Sequence, residues 1–168
     1  MATLRAHDRL QPALLDRLTD DEPGSRVESA EGRVINRGRL RELVLRDLSW
    51  LFNTTCSGEN IDWASAPQAA RSVINFGLPA LSGQSMSGLE LQTLQDRVRQ
   101  AIIDYEPRIL PDTLVVEAVN NELQADHHNQ VGFRISGQLW AQPVPLELML
   151  HTDIDLETGR VEIRETGR

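Results

Sequence analysis

The sequence predicts an α+β fold: a single domain with helices packed on one face of an antiparallel sheet of about four strands, preceded by an N-terminal helical arm. Three observations carry this reading. Apolar residues recur at three- and four-residue steps along two long segments in the first two thirds of the chain. Beyond Pro107 the period changes to alternation, the pattern of half-buried strands. Short turn-rich runs link the alternating segments, so successive strands pair as neighbours in a meander.

The first element is a short helix over Gln11 to Leu18, with Leu10, Leu14 and Leu18 at i, i+4 spacing, Leu15 beside them and Pro12 in the first turn. So short a helix is unstable alone, and its apolar stripe, Leu14, Leu15 and Leu18, is expected to order against a partner protein. Thr19 to Glu31 holds Asp20, Asp21, Glu22, Pro23 and Gly24 and reads as a linker. The chain therefore divides into an arm with its linker, residues 1–32, and a globular body, residues 33–168.

The second helix spans about Arg37 to Phe52, with Leu40, Leu43, Val44, Leu48, Leu51 and Phe52 on one face and Glu42 and Arg46 opposite as an i, i+4 pair. A turn-rich segment, Asn53 to Pro67, follows. Ser72 to Phe76 is a candidate short strand, and Gly77 to Gly88 a loop. Ser87 with Glu90 fits a capping box opening a third helix, Gly88 to Tyr105, with a core stripe of Leu91, Leu94, Val98, Ile102 and Tyr105. Pro107 ends it. Thr113 to Val119 reads as a strand. Val131, Phe133, Ile135 and Leu139 mark the face of the next, and Leu146, Leu148, Leu150, Ile154 and Leu156 that of a third. Asp155 to Arg160 forms a hairpin turn into Val161 and Ile163.

Composition removes several function classes. Of 168 residues, 40% are hydrophobic and 25% charged, which suits a globular chain. The net charge of −8 disfavours a broad contact with nucleic acid or an anionic membrane. All seventeen basic residues are arginine, so Schiff-base, phosphate-loop and general-base lysines are absent. Cys56 is the single cysteine, which excludes an intrachain disulfide and a four-cysteine zinc site. Met1 to Leu10 lacks the apolar run of a signal peptide, and the longest apolar stretch, Leu43 to Phe52, is cut by Arg46 and Asp47, so no membrane insertion is expected. A cytoplasmic protein is the simplest reading.

Catalytic candidates are weak. The loop Gly83-Gln84-Ser85-Met86-Ser87 has serine where a nucleophile elbow needs glycine. Asp126, His127, His128 and His151 could suggest a metal, but adjacent histidines in a strand point to opposite faces, and no metal or cofactor is expected. Asp104, Glu106 and Asp112 crowd the end of the third helix like a glycosidase acid pair, yet only seven aromatic residues are available for stacking on sugar. What stands out is Glu106-Pro107-Arg108. Pro107 pushes Glu106 out of the helical region, so Glu106 and Arg108 are expected on the same side of an extended segment. They form either a local ion pair closing the helix or a rigid charged prong for a partner, and the partner contact is the expected role.

Leu14-Leu15-Asp16-Arg17-Leu18-Thr19-Asp20-Asp21, Ser72-Val73-Ile74-Asn75-Phe76-Gly77-Leu78-Pro79 and Glu106-Pro107-Arg108, in this order, resemble the TssE family, baseplate wedge subunits of bacterial type VI secretion systems. That family is similar in turn to phage tail baseplate wedge proteins long labelled lysozyme-like. The resemblance runs from Leu10 to Ile163. It implies a cytoplasmic, non-enzymatic structural subunit without cofactors, which joins other baseplate wedge subunits and helps start the sheath. It also implies that Glu106, Pro107 and Arg108 contact the core helical bundle of the wedge. By the same analogy an edge of the C-terminal meander accepts a strand from sheath subunits, guarded meanwhile by Glu147, Asp153, Glu162 and Arg164. The rival readings are an anti-adaptor-type regulatory binding protein of related fold and a muramidase; the leader helix argues against the first and the lack of an export signal against the second.

Overall fold

A computed structural model describes residues 13–19, 24, 36–57, 61–81, 88–119, 130–141 and 143–166. All of the expected linker but Thr19 and Gly24, the serine loop with the Ser87 cap, and Asp126, His127 and His128 lie outside the described residues. Helix α1 is Leu14–Leu18 and α2 is Arg37–Phe52. A single turn, α3, covers Pro67–Ala70, and α4 covers Gly88–Tyr105. Four strands follow, β1 (Val115–Val119), β2 (Gln130–Leu139), β3 (Leu146–Asp155) and β4 (Val161–Glu165), in one antiparallel sheet of order β1-β2-β3-β4. The predicted α+β architecture is therefore the observed one.

Asn36 starts α2 by accepting the Arg39 backbone N–H on its side-chain oxygen at 2.8 Å. The six predicted apolar positions of α2 are all buried. In α4, Leu94, Val98 and Ile102 are buried, with Leu91 and Tyr105 half-buried at the margin. Glu42 does not pair with Arg46 as expected. It pairs with Arg39 at 3.2 Å, one residue closer along the helix, because Arg46 is engaged elsewhere.

One face of the sheet carries Phe133, Ile135, Leu139, Leu148, Leu150 and Ile154, all essentially inaccessible to solvent. Onto this face α4 packs beside β1 and α2 beside β4, and the two helices touch. The opposite face is solvated; a charged row Glu117–Arg134–His151–Arg164 crosses it in register, and Val115 and Met149 are exposed on it beside Ser136. Glu147 and Asp153 lie on β3, an interior strand, so of the four expected edge guards only Glu162 and Arg164 are on an edge.

Ser72 to Phe76 is not a strand. Val73–Asn75 is a turn of 3-10 helix, because local polar groups capture the backbone: the Asn75 N–H donates to the Ser72 carbonyl at 2.9 Å and the Asn75 amide to the Ala70 carbonyl at 3.0 Å. The next residue, Gly77, has φ +124° and passes directly beneath Thr54. Leu78 then exchanges hydrogen bonds with Thr54 and Cys56, both at 2.9 Å, tying this segment to the end of α2. Similarly, Pro111–Thr113 is a 3-10 turn, so β1 begins two residues later than predicted.

Candidate functional site

Helix α4 stops at Tyr105, since Pro107 can neither donate to the helix nor permit helical geometry before it. The Ile109 N–H closes a turn onto the Glu106 carbonyl at 3.1 Å. This turn, and not an extended segment, brings Glu106 and Arg108 to the same side. The chain then joins the sheet: the Trp140 N–H donates to the Arg108 carbonyl at 2.7 Å and the Leu110 N–H to that of Gln138 at 2.8 Å. Arg108 thus stands where helix hands over to sheet.

Its guanidinium grips Glu106 with both arms of the fork, Nε donating to Oε1 at 2.7 Å and Nη2 to Oε2. Glu106 is only 4% exposed, a buried carboxylate sustained by this pairing. Nη2 also donates to Oδ2 of Asp47, on α2. Asp47 Oδ1 receives Arg46 Nε at 2.8 Å, and Arg46 Nη2 donates to Asp16 Oδ1 of α1 at 2.7 Å. The result is a line of alternating charge, Glu106–Arg108–Asp47–Arg46–Asp16, tying the end of α4 through α2 to the arm. Burial alone would lower the Arg108 pKa, but the carboxylates of Glu106 and Asp47 outweigh it and hold the group above its ordinary range.

Two apolar features flank this line. Trp50, half exposed, lies under the Arg46 guanidinium at 4.8 Å, and Trp140, 54% exposed, follows the strand end that bonds Arg108. On α1, Asp16 turns toward Arg46 while Leu14, Leu15 and Leu18 are 72, 48 and 73% exposed. Arginine and tryptophan, which meet here beside a partly open ion-pair network, are residue types enriched where proteins bind one another. Of the residues gathered here, sequence reasoning singled out Glu106, Pro107, Arg108 and the three leucines as partner-contact candidates, and did not single out Asp47, Arg46, Trp50 or Trp140 for that role. The available signal was the charged pair Arg46-Asp47 interrupting the most apolar stretch of the chain.

The alternative chemistries find little support in the geometry. Asp104 is bound by Arg71 at 2.7 Å and Glu106 by Arg108, so these two carboxylates of the α4 end are each taken up by a separate arginine. Cys56 lines a cleft of about 540 Å³ together with Arg71, Asn75 and Tyr105, and no histidine lines it. Among the described residues no group of three or more histidine, cysteine or acidic side chains could hold a metal ion, and no helix is long and apolar enough to cross a membrane.

A family model described as baseplate wedge protein gp25 matches residues 38–144, well over half of the chain. The matched segment contains Arg46, Asp47, Glu106 and Arg108; α1 and the last two strands lie outside it. No curated protein matches the sequence at a significant level.

Proposed function

Because the chain belongs to the baseplate wedge protein gp25 family and is thus a structural component of a baseplate, we propose that it is the TssE-type wedge subunit of a type VI secretion system, a cytoplasmic, non-enzymatic protein. In this reading the wedge partners, including the core helical bundle, dock over Arg108, Asp47 and the flanking tryptophans. The buried Glu106 holds the guanidinium of Arg108, and Pro107 fixes the backbone between them. The outward leucines of α1 add an apolar contact on the arm.

The second half of the role is to start the sheath, and one observation carries it: among the described residues no strand pairs with the outer edge of β4. In an antiparallel pair, alternate residues direct N–H and C=O away from the partner strand. Arg160 and Thr166 bond back to Asp155 and Met149 of β3, so Val161, Ile163 and Glu165 direct theirs outward. Ile163 and Glu165 thereby offer a template for a strand of a sheath subunit, while Glu162 and Arg164 hold charge on the solvent face.

The test is Ile163→Pro. The Ile163 N–H faces away from β3, so proline removes no bond within the sheet and is tolerated as at other edges. The variant should still co-purify with the wedge subunits and fail to support sheath growth. Normal sheath growth with this variant would remove β4 from the mechanism.

A further inference from the structure

The β4 edge is open over only part of its length, and the residue that closes the rest is Asn53. Its side-chain amide lies against Val161 as a neighbouring strand would: Nδ2 donates to the Val161 carbonyl at 2.9 Å, and the Val161 N–H donates to Oδ1 at 3.0 Å. Both outward groups of Val161 are therefore spent. Asn53 is held for this task by its place at the C-terminus of α2, where Nδ2 also reaches the Ser49 carbonyl at 2.9 Å. Just beyond it, at the β3–β4 turn, a polar cavity of about 280 Å³ is lined by Thr54, Thr55, Thr158 and Arg160. At the other end Arg41 donates to the Glu147 carbonyl at 2.9 Å and pairs with the Glu165 carboxylate at 3.6 Å. Arg41 of α2 and Asn53 just past its C-terminus thus bracket the edge, leaving the backbone of Ile163 and Glu165 between them.

We propose that Asn53 is a register stop: it fixes where a strand added to β4 must leave the sheet, so that pairing covers Ile163 and Glu165 and ends before Val161. The inference rests on the strand-addition reading above. It also specifies the occupant, a short sheath-subunit segment of alternating character. The residue beside Ile163 is apolar, because Ile163 packs at the margin of the core; its neighbours face Glu162 and Arg164 and are polar. A one-residue slip would exchange these faces, so a fixed stop confers specificity.

Backbone hydrogen exchange on the chain, alone and bound to the co-produced sheath subunit, tests this. In the free chain the Val161 amide should exchange at least about tenfold more slowly than those of Ile163 and Glu165. Binding should slow Ile163 and Glu165 and leave Val161 unchanged. In Asn53→Ala the free Val161 amide becomes fast, and binding slows it again as the added strand advances past the missing stop. Asn53→Ser, whose hydroxyl is too short to span both outward groups of Val161 but can still bond at the end of α2, serves if the alanine variant does not fold; the same fast free Val161 amide and the same slowing on binding are expected of it, and a bound Val161 that stays fast counts equally against the stop. Folded Asn53→Ala that binds with Val161 still fast, or that no longer binds, overturns the register stop while leaving strand addition intact. Failure of Ile163 and Glu165 to slow in the parent complex instead removes strand addition itself, and the register stop with it.

Discussion

Arg108 and Asp47 are 61 residues apart in sequence, yet a single guanidinium nitrogen joins Asp47 on α2 to Glu106 at the end of α4. This makes Arg108 a strut of the fold as well as a candidate contact. Truncating it leaves the Glu106 carboxylate buried without its counter-charge, a change that costs about 3–5 kcal/mol. Arg108→Ala should therefore lower the unfolding midpoint markedly. Arg108→Lys retains the charge but loses the planar fork, and should fall between. If the outer edge of Arg108 also serves the wedge partners, Arg108→Lys will bind them more weakly per folded molecule. Denaturant unfolding and wedge co-purification on the same preparation separate the two effects; an unchanged midpoint for Arg108→Ala would show that Glu106 needs no partner.

Among the described glycines Gly77 has the least room for a side chain. An added Cβ would lie 2.2 Å from the Thr54 carbonyl oxygen, and φ +124° is itself unfavourable for any side chain. The conformational term alone is about 1–3 kcal/mol, and the clash adds to it through backbone that cannot swing aside. Gly77→Ala should thus destabilise far more than alanine at Gly38, whose nearest neighbour is at an ordinary 3.4 Å. Comparable thermal midpoints for the two variants would contradict this.

These two positions also show how far the sequence was legible. Helix α2 carries six apolar residues at helical spacing, and its predicted ends match the observed ones, because burial on one face decides the element. The strand alternation was equally readable, since Phe133, Ile135, Leu148 and Leu150 all face the helices. Ser72 to Phe76 misled because Val73 and Ile74 are β-branched, yet both are exposed and the segment is folded by polar side chains with no strand to pair with. That Glu106 and Arg108 share a side was suggested by the proline between them, although as an extended segment and not as the turn that forms. Asp47 and Asn53 were not, because their roles depend on partners brought near only by the tertiary fold: Asn53 meets Val161 across 108 residues.

The β3–β4 turn supplies a pH-dependent element. The Asp155 carboxylate accepts the Thr158 N–H at 3.1 Å and the Glu157 N–H at 2.8 Å, and these backbone bonds hold its pKa below the ordinary carboxylate value. A depressed folded-state pKa stabilises the protein above the unfolded-state value, about 4, and the contribution disappears as pH falls through the folded value. Asp155→Asn keeps a side-chain oxygen for the turn and cannot titrate. The midpoint difference between parent and variant should be largest near neutral pH and shrink in the acid range; a difference independent of pH would mean that the charge contributes nothing.

The arm should matter to assembly more than to folding. On α1 the described tie to the body is Asp16 to Arg46, and the second Asp16 oxygen is buried without a hydrogen-bond partner. Such a tie contributes about 1.5–3 kcal/mol, so deleting residues 1 to 22 should lower the thermal midpoint by roughly 3–12 °C and leave the body folded. The three leucines face outward, and burying a leucine side chain against a partner contributes about 1.5–3 kcal/mol. Leu14→Ser with Leu18→Ser should therefore leave stability unchanged and weaken wedge assembly by roughly 100- to 10,000-fold. The double variant is the sharper test, because it leaves Asp16 and its salt bridge in place. If it unfolds like a core mutant, the stripe packs on its own body; if it assembles normally, the arm is not a contact.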